Sequence, residues 1–474
     1  MPEATRVEKD SMGPMTVPSH ALWGASTQRA VENFPVSGYR LGRRFVRALG
    51  LIKQTAAEVN RDLGILPEKL ATLIVQAASD VIEGKLDDHF VVDVFQTGSG
   101  TSSNMNANEV IANRAIQLAG GQIGSKTPVH PNDHVNMAQS SNDVIPTAMH
   151  IAVAEALRHD LSPALRQLHA HLDEKAKAFD KIVKIGRTHL QDATPIRLGQ
   201  EFSGYASQIA HADVRANRAI AALRELPIGG TAVGTGINSH PEFGRRMAAL
   251  LSKKTGIDFV EAANHFESQA AKDAIVEASG LVRTIAIGLT KIANDIRWLA
   301  SGPRCGIGEL RIPETQPGSS IMPGKVNPVM SEMVLQAAAF AVGADATVAF
   351  AGATLGTFEL HVGMPVMVHS LLESIRVVSK ATTVFADRCA AGIEADAKRC
   401  GELVEQSLAM CTSLAPVIGY DTAADVAKRA FKGGKTVRQV CVEENILPTD
   451  KLNKLLDPWS MTMPSAENIG SGGG

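Results

Sequence analysis

Between residues 265 and 300, Ile275, Ala278, Val282, Ile285, Leu289, Ile292, Ile296 and Leu299 alternate spacings of three and four, the repeat of one apolar helix face. The seam runs for several heptads. It fits a helix buried inside one bundle or a seam shared between subunits, and so long a helix outruns a compact monomer, which favours the oligomer. Similar patterning predicts long helices over about 147–179, 199–226 and 329–351, enough for a bundle. The fold class expected is all-α.

The first 139 residues have a different texture, broken at Gly13-Pro14, Gly98-Ser99-Gly100 and His130-Pro131-Asn132-Asp133. Glycine and proline punctuate turns, so residues 1–139 are expected to form a loop-rich helical domain. A central long-helix domain over 140–396 follows. Beyond it, Pro416, Gly419 and Gly433-Gly434 shorten the segments into a small helical C-terminal domain, 397–474. The last residues, Gly470 to Gly474, are expected to fray or to be an expression remnant.

Composition narrows the partners. Aromatic residues make up only 4% of the chain, which suits closely approaching helices, and 47 Lys and Arg against 49 Asp and Glu leave a net charge of −2. No global basic field is present for nucleic acid. No uninterrupted apolar run approaches ~18 residues, so no membrane span is expected. The five cysteines, without a CxxC pair, fit reduced thiols in the cytoplasm better than a disulfide framework or a zinc site.

Candidate chemistry gathers in the turns. Gly318-Ser319-Ser320-Ile321-Met322-Pro323-Gly324-Lys325-Val326-Asn327-Pro328 sets two hydroxyls, a cation and an amide among prolines and glycines, the composition of a loop that grips an anion. Val91 to Phe95 followed by Gly98-Ser99-Gly100 imitates a dinucleotide fingerprint. Ser103 replaces the third glycine and the run to Asn108 is polar, so a polar ligand-binding turn fits better. Ser140-Ser141-Asn142-Asp143 precedes a helix and reads both as capping chemistry and as an anion site, which are compatible uses of the same N–H groups. His130, Asp133 and His134 lack a further ligand at metal spacing, so no metal is expected. Thr188-His189, introduced by Gly186-Arg187, places a His in a polar break between helical segments, where it fits either a structural role or, among hydroxyls and an amide, proton handling, with Glu332 able to orient it if the two meet.

Taken in order, Leu22-Trp23-Gly24-Ala25-Ser26-Thr27-Gln28-Arg29, Gln96 to Thr101, Ser140 to Asn142, Gly186 to His189, Thr231 to Gly236 and the Ser loop resemble the class II fumarases over nearly the whole chain. Related aspartases typically carry Gln at the position of His189 and Ala at that of Gly324, so the resemblance points to fumarate hydration rather than to ammonia elimination, and the complete loops argue against an inactive scaffold. It implies three helical domains, a homotetramer with a helical core, active sites shared between subunits, a dicarboxylate substrate and no cofactor. By the same resemblance Ser319 is the base, and Lys325 and Asn327 stabilise an aci-carboxylate dianion. His189, backed by Glu332, and Thr188 handle water. Ser99, Gly100, Thr101, Ser140, Ser141, Asn142, Ser320 and Val326 line the substrate, and His130, Pro131, Asn132 and Asp133 match a second dicarboxylate site. A Ser alkoxide is improbable in water, so loop closure and nearby positive charge must favour it. His361-Val362-Gly363-Met364-Pro365 departs from the family pattern, where Asn and an aromatic more often precede the Pro.

Overall fold

A computed structural model describes residues 4–465; the Gly470–Gly474 tail lies outside them. The chain is all-α, and its strands form only two-stranded sheets. Contacts divide it into two compact units. Among the described residues the first comprises those up to Pro163 with Asp213–Ile287 and Ala337–Lys380, and the second comprises Ala164–Ala212, Gly288–Gln336 and those from Ala381 on. The division falls inside each of the long helices Leu198–Ala222, Asp273–Leu299, Val329–Thr354 and Met364–Arg388.

In the first unit the helices Arg43–Asp62, Glu68–Ile82, Thr101–Leu118 and Ser141–Ala156 pack through their apolar faces. Thr101 and Asn104, expected in a polar turn with Ser99, lie inside the Thr101–Leu118 helix, and Asn104, Asn106 and Asn108 are buried there. Asn106 Nδ2 donates to the His89 carbonyl at 2.9 Å, so tertiary partners replace the water that a surface turn would offer. Glu109, on the same helix, accepts the N–H groups of Gly24, Ser26 and Thr27 at 2.8–3.0 Å. A distant carboxylate thus caps the helix Ala25–Asn33, whose own N-cap is a glycine.

The seam residues from Ile275 to Leu299 are all buried within the single chain. That decides between the two readings of the seam: it faces the chain's own core and is not a surface offered to another subunit. Unpartnered apolar surface lies instead on the Val329–Thr354 helix. It buries a stripe through Val334, Ala341 and Val348 while Phe340 and Phe350 are 49% and 71% exposed, because the helix is apolar on every side. By length and composition it is the one helix among the described residues apolar enough to cross a membrane.

The second unit closes with short helices packed on Val404, Leu414, Val426, Val440 and Leu452, and Ile185 joins that cluster. Ile185 belongs to a β-hairpin, Val183–Thr188 paired antiparallel with Gln191–Arg197. His189 therefore stands at a hairpin tip, where an irregular break between helices was expected.

Candidate active site

Six of the nominated residues converge in the first unit. Gly100, at φ +72°, starts the Thr101–Leu118 helix in the left-handed region, and a Cβ there would lie 2.9 Å from Ile145. Only glycine meets both demands. Hydroxyls then line up: Ser99 Oγ lies 2.8 Å from Thr101 Oγ1, which lies 2.8 Å from Ser141 Oγ. Ser140 caps the Ser141–Ala156 helix in a capping box with Asp143. Asn142 Nδ2 donates to the Ala232 carbonyl at 2.8 Å.

Of these, Thr101, Ser140 and Ser141 border a cleft of about 370 Å³ lined also by Asn104, Asn136 and Gln139 among others, with no charged side chain on its wall among the described residues. Helix N-terminal N–H groups and hydroxyls facing such a space suit an anion. A larger groove of about 540 Å³ between Val59 and Arg245 holds none of the nominated residues and is open to solvent.

Asp143 holds the cleft together from behind. Its carboxylate accepts the Ser140, Gly229 and Thr231 N–H groups at 2.9, 3.1 and 2.9 Å, tying the 229–231 turn to the cap. Burial pushes its carboxyl up from the ordinary value, against those donors and the Lys53 cation. Next along the chain before the cleft residues Asn136 to Ser141, His130 caps a π-helical turn, Pro131–Val135. There His130 Nδ1 accepts from the Asn132 and Asp133 N–H groups, and burial lowers the imidazole pKa.

The remaining nominated residues lie in the second unit. The Ser loop is half-buried at Ser319 and exposed from Ser320 to Lys325. Its Gly318 N–H donates to the Lys325 carbonyl at 2.8 Å and Asn327 Nδ2 to the Gly318 carbonyl at 2.8 Å. A Cβ at Gly318 would lie 2.2 Å from that Lys325 oxygen, so the loop closes only on glycine. Ser319 Oγ accepts from the Ile321 and Met322 N–H groups at 3.3 and 3.2 Å. Two donors on one hydroxyl oxygen favour its charged form, the electrostatic requirement of a Ser base.

At the hairpin tip Thr188 pairs with Gln191 across a two-residue loop in which His189 and Leu190 have φ +56° and +61°. That is the backbone of a tight hairpin turn usually written Asn-Gly. Holding His and Leu there costs on the order of 1–3 kcal/mol each, a strain typical of functional turns. Behind the tip, Arg187 makes a two-pronged bond of 2.9 and 3.0 Å to Glu309, which is fully buried and also meets Lys184. Glu332 sits in the first turn of the Val329–Thr354 helix. No hydrogen bond or ion pair joins it to His189 among the described residues.

Residues 13–343 match the family described as Lyase, and residues 410–463 match the Fumarase C C-terminus. The chain is 56% identical to the fumarate hydratase class II of Halobacterium salinarum over 98% of both chains. With that of Methylorubrum extorquens it shares 51% over 98% of both. The chain belongs to the class II fumarase family. The crystal structure of recombinant class II fumarase from Schistosoma mansoni superposes at a TM-score of 0.94 with 37% identity, over 97% of this chain and all of that one.

Within this fumarase fold the sequence reading missed Lys53, Asn136, Gln139 and Glu309. All four act through partners far along the chain. The available signal was a lysine in the apolar face of the Arg43–Asp62 helix and a glutamate in a glycine-rich loop, neither of which names its partner.

Proposed function

We propose that the protein is a fumarate hydratase, adding water to fumarate to give L-malate and catalysing the reverse, as a step of the tricarboxylic acid cycle. One observation carries the reading, 56% identity to a fumarate hydratase over 98% of both chains, and a Ser319 Oγ held under two N–H donors fits it. In the malate direction Ser319 takes the C3 proton, which is barely acidic. The electron pair enters the adjacent carboxylate as an aci-carboxylate, stabilised by Lys325 and Asn327. His189, with Glu332 behind it and Thr188 beside it, protonates the departing C2 hydroxyl so that it leaves as water. Ser99, Gly100, Thr101, Ser140, Ser141 and Asn142, with Ser320 and Val326, hold the carboxylates, while His130, Pro131, Asn132 and Asp133 form a second dicarboxylate site.

The working form is a cytoplasmic homotetramer in which the Ser319 and His189 of one active site come from different chains. The exposed face of the Val329–Thr354 helix supports assembly, and five free cysteines suit a reducing compartment. Domains at 1–139, 140–396 and 397–474 complete the reading. An absorbance assay for fumarate formed from L-malate, run beside L-aspartate, tests it. Formation of fumarate from malate is expected, and turnover of aspartate alone would overturn the assignment.

A further inference from the structure

Lys53 is fully buried on the inward side of the Arg43–Asp62 helix. Taking an ammonium out of water is costly, and an apolar side chain of similar volume would fill the space without that penalty. What the charge touches explains its presence. Its Nζ donates to Asn136 Oδ1 at 2.8 Å and to Gln139 Oε1 at 2.9 Å. Because both carbonyl oxygens face the ammonium, both NH₂ groups must turn the other way. Asn136 Nδ2 donates to the Gln139 carbonyl at 3.1 Å, and Gln139 Nε2 to the Val135 and Met137 carbonyls at 3.2 and 3.0 Å. The turn is thereby sewn closed around Ala138, whose φ is +61°.

Asn136, Ala138 and Gln139 line the uncharged cleft and run directly into Ser140 and Ser141. Lys53 thus stands one shell behind the wall that receives a carboxylate, with Asp143 as its countercharge. No step of the reaction uses it.

We propose that Lys53 is a positioning residue of this cleft: the N–H donors of its Nζ pin the 136–139 turn so that Ser140, Ser141 and Asn142 meet a substrate carboxylate already in place. The proposal rests on the dicarboxylate reading of the site. A cleft shaped in advance binds without ordering its wall, so loss of the pin is expected in binding before chemistry.

The test uses full-length Lys53→Met, which matches the length without charge or donors, and Lys53→Gln, which keeps one donor group. For each, kcat and KM for L-malate are measured, together with calorimetric binding of succinate, which fits a dicarboxylate site and has no leaving group. Lys53→Met is expected to raise KM and the succinate Kd together by about 10-fold or more, with kcat within about 3-fold and Lys53→Gln in between. Unchanged KM and Kd in folded variants would overturn the proposal. So would a fall in kcat alone, or failure of both variants to fold, which would make Lys53 a core pin and nothing more. Succinate binding separates this outcome from the activity: a wild type that binds succinate but does not turn over malate defeats the hydratase reading and leaves the role of Lys53 readable.

Discussion

The Ser140 turn and the Ser319 loop are both rich in hydroxyls and both proposed to hold an anion, yet they are held in opposite ways. Around Ser140 every wall is tied to something distant: Asp143 reaches the 229–231 turn, Asn142 reaches Ala232 and Lys53 reaches Asn136 and Gln139. The Ser319 loop bonds to itself, through Gly318, Met322, Lys325 and Asn327. A site that must recognise a carboxylate gains from a wall fixed beforehand, whereas a segment that must admit substrate and then exclude water gains from few outside ties. Damage to the first kind of segment should appear in stability and KM, and damage to the second in kcat.

The sharpest way to break that contrast is Ser319→Ala. It should leave folding and assembly intact and lower kcat by at least ~10²-fold, the scale of a lost positioned proton-transfer group. Steady-state kinetics beside a melting curve decide it, and activity within a few-fold of wild type would remove Ser319 from catalysis. His189→Asn should likewise hurt turnover more than assembly. Co-refolding inactive Ser319→Ala and His189→Asn chains should then restore activity at roughly a quarter of sites if chains mix at random and the two residues come from different subunits. Heterotetramers confirmed by mass and lacking any gain over the parents would rule out that sharing.

Asp143→Ala is the counterpart on the fixed side. It strands the Ser140, Gly229 and Thr231 N–H groups, so a loss of about 1–3 kcal/mol is expected from buried donors left unpaired. KM should rise with it. Denaturant melts that show no loss would mean the cleft wall is held by something else.

The dependence of stability on pH gives a further test. Burial pushes Lys53 and Lys272 down to about 7 from the ordinary 10.5. Between those values the unfolded chain holds protons that the native chain has released, so this contribution makes stability rise with pH from about 7 towards 10.5 and stay flat below. Lys53→Met should lose its share of that slope in denaturant melts at several pH values, and an unchanged slope would show that Lys53 titrates normally.

Much of this arrangement was legible in the sequence, and the illegible part has a common cause. The Ser loop, the Ser140 cap and the long helices announce themselves through local chemistry and periodicity, which need no knowledge of distant partners. The His189 hairpin did not, because its tip is written His-Leu where hairpins usually show Asn-Gly. The seam at Ile275 to Leu299 was legible as a seam, but whether chain or neighbour covers it depends on tertiary packing. Lys53 and Asn136 lie 83 residues apart, and no pattern in either segment points to the other.

The bare face of the Val329–Thr354 helix carries a consequence for the newly made chain. With Phe340 and Phe350 in water, a lone copy holds free energy that association alone releases. Under the proposed assembly its stability therefore obeys mass action: each dilution lowers it, and no single melting temperature describes the protein without its concentration. A cell producing little of it would face a slow, partner-limited maturation during which the same face is open to unproductive encounters.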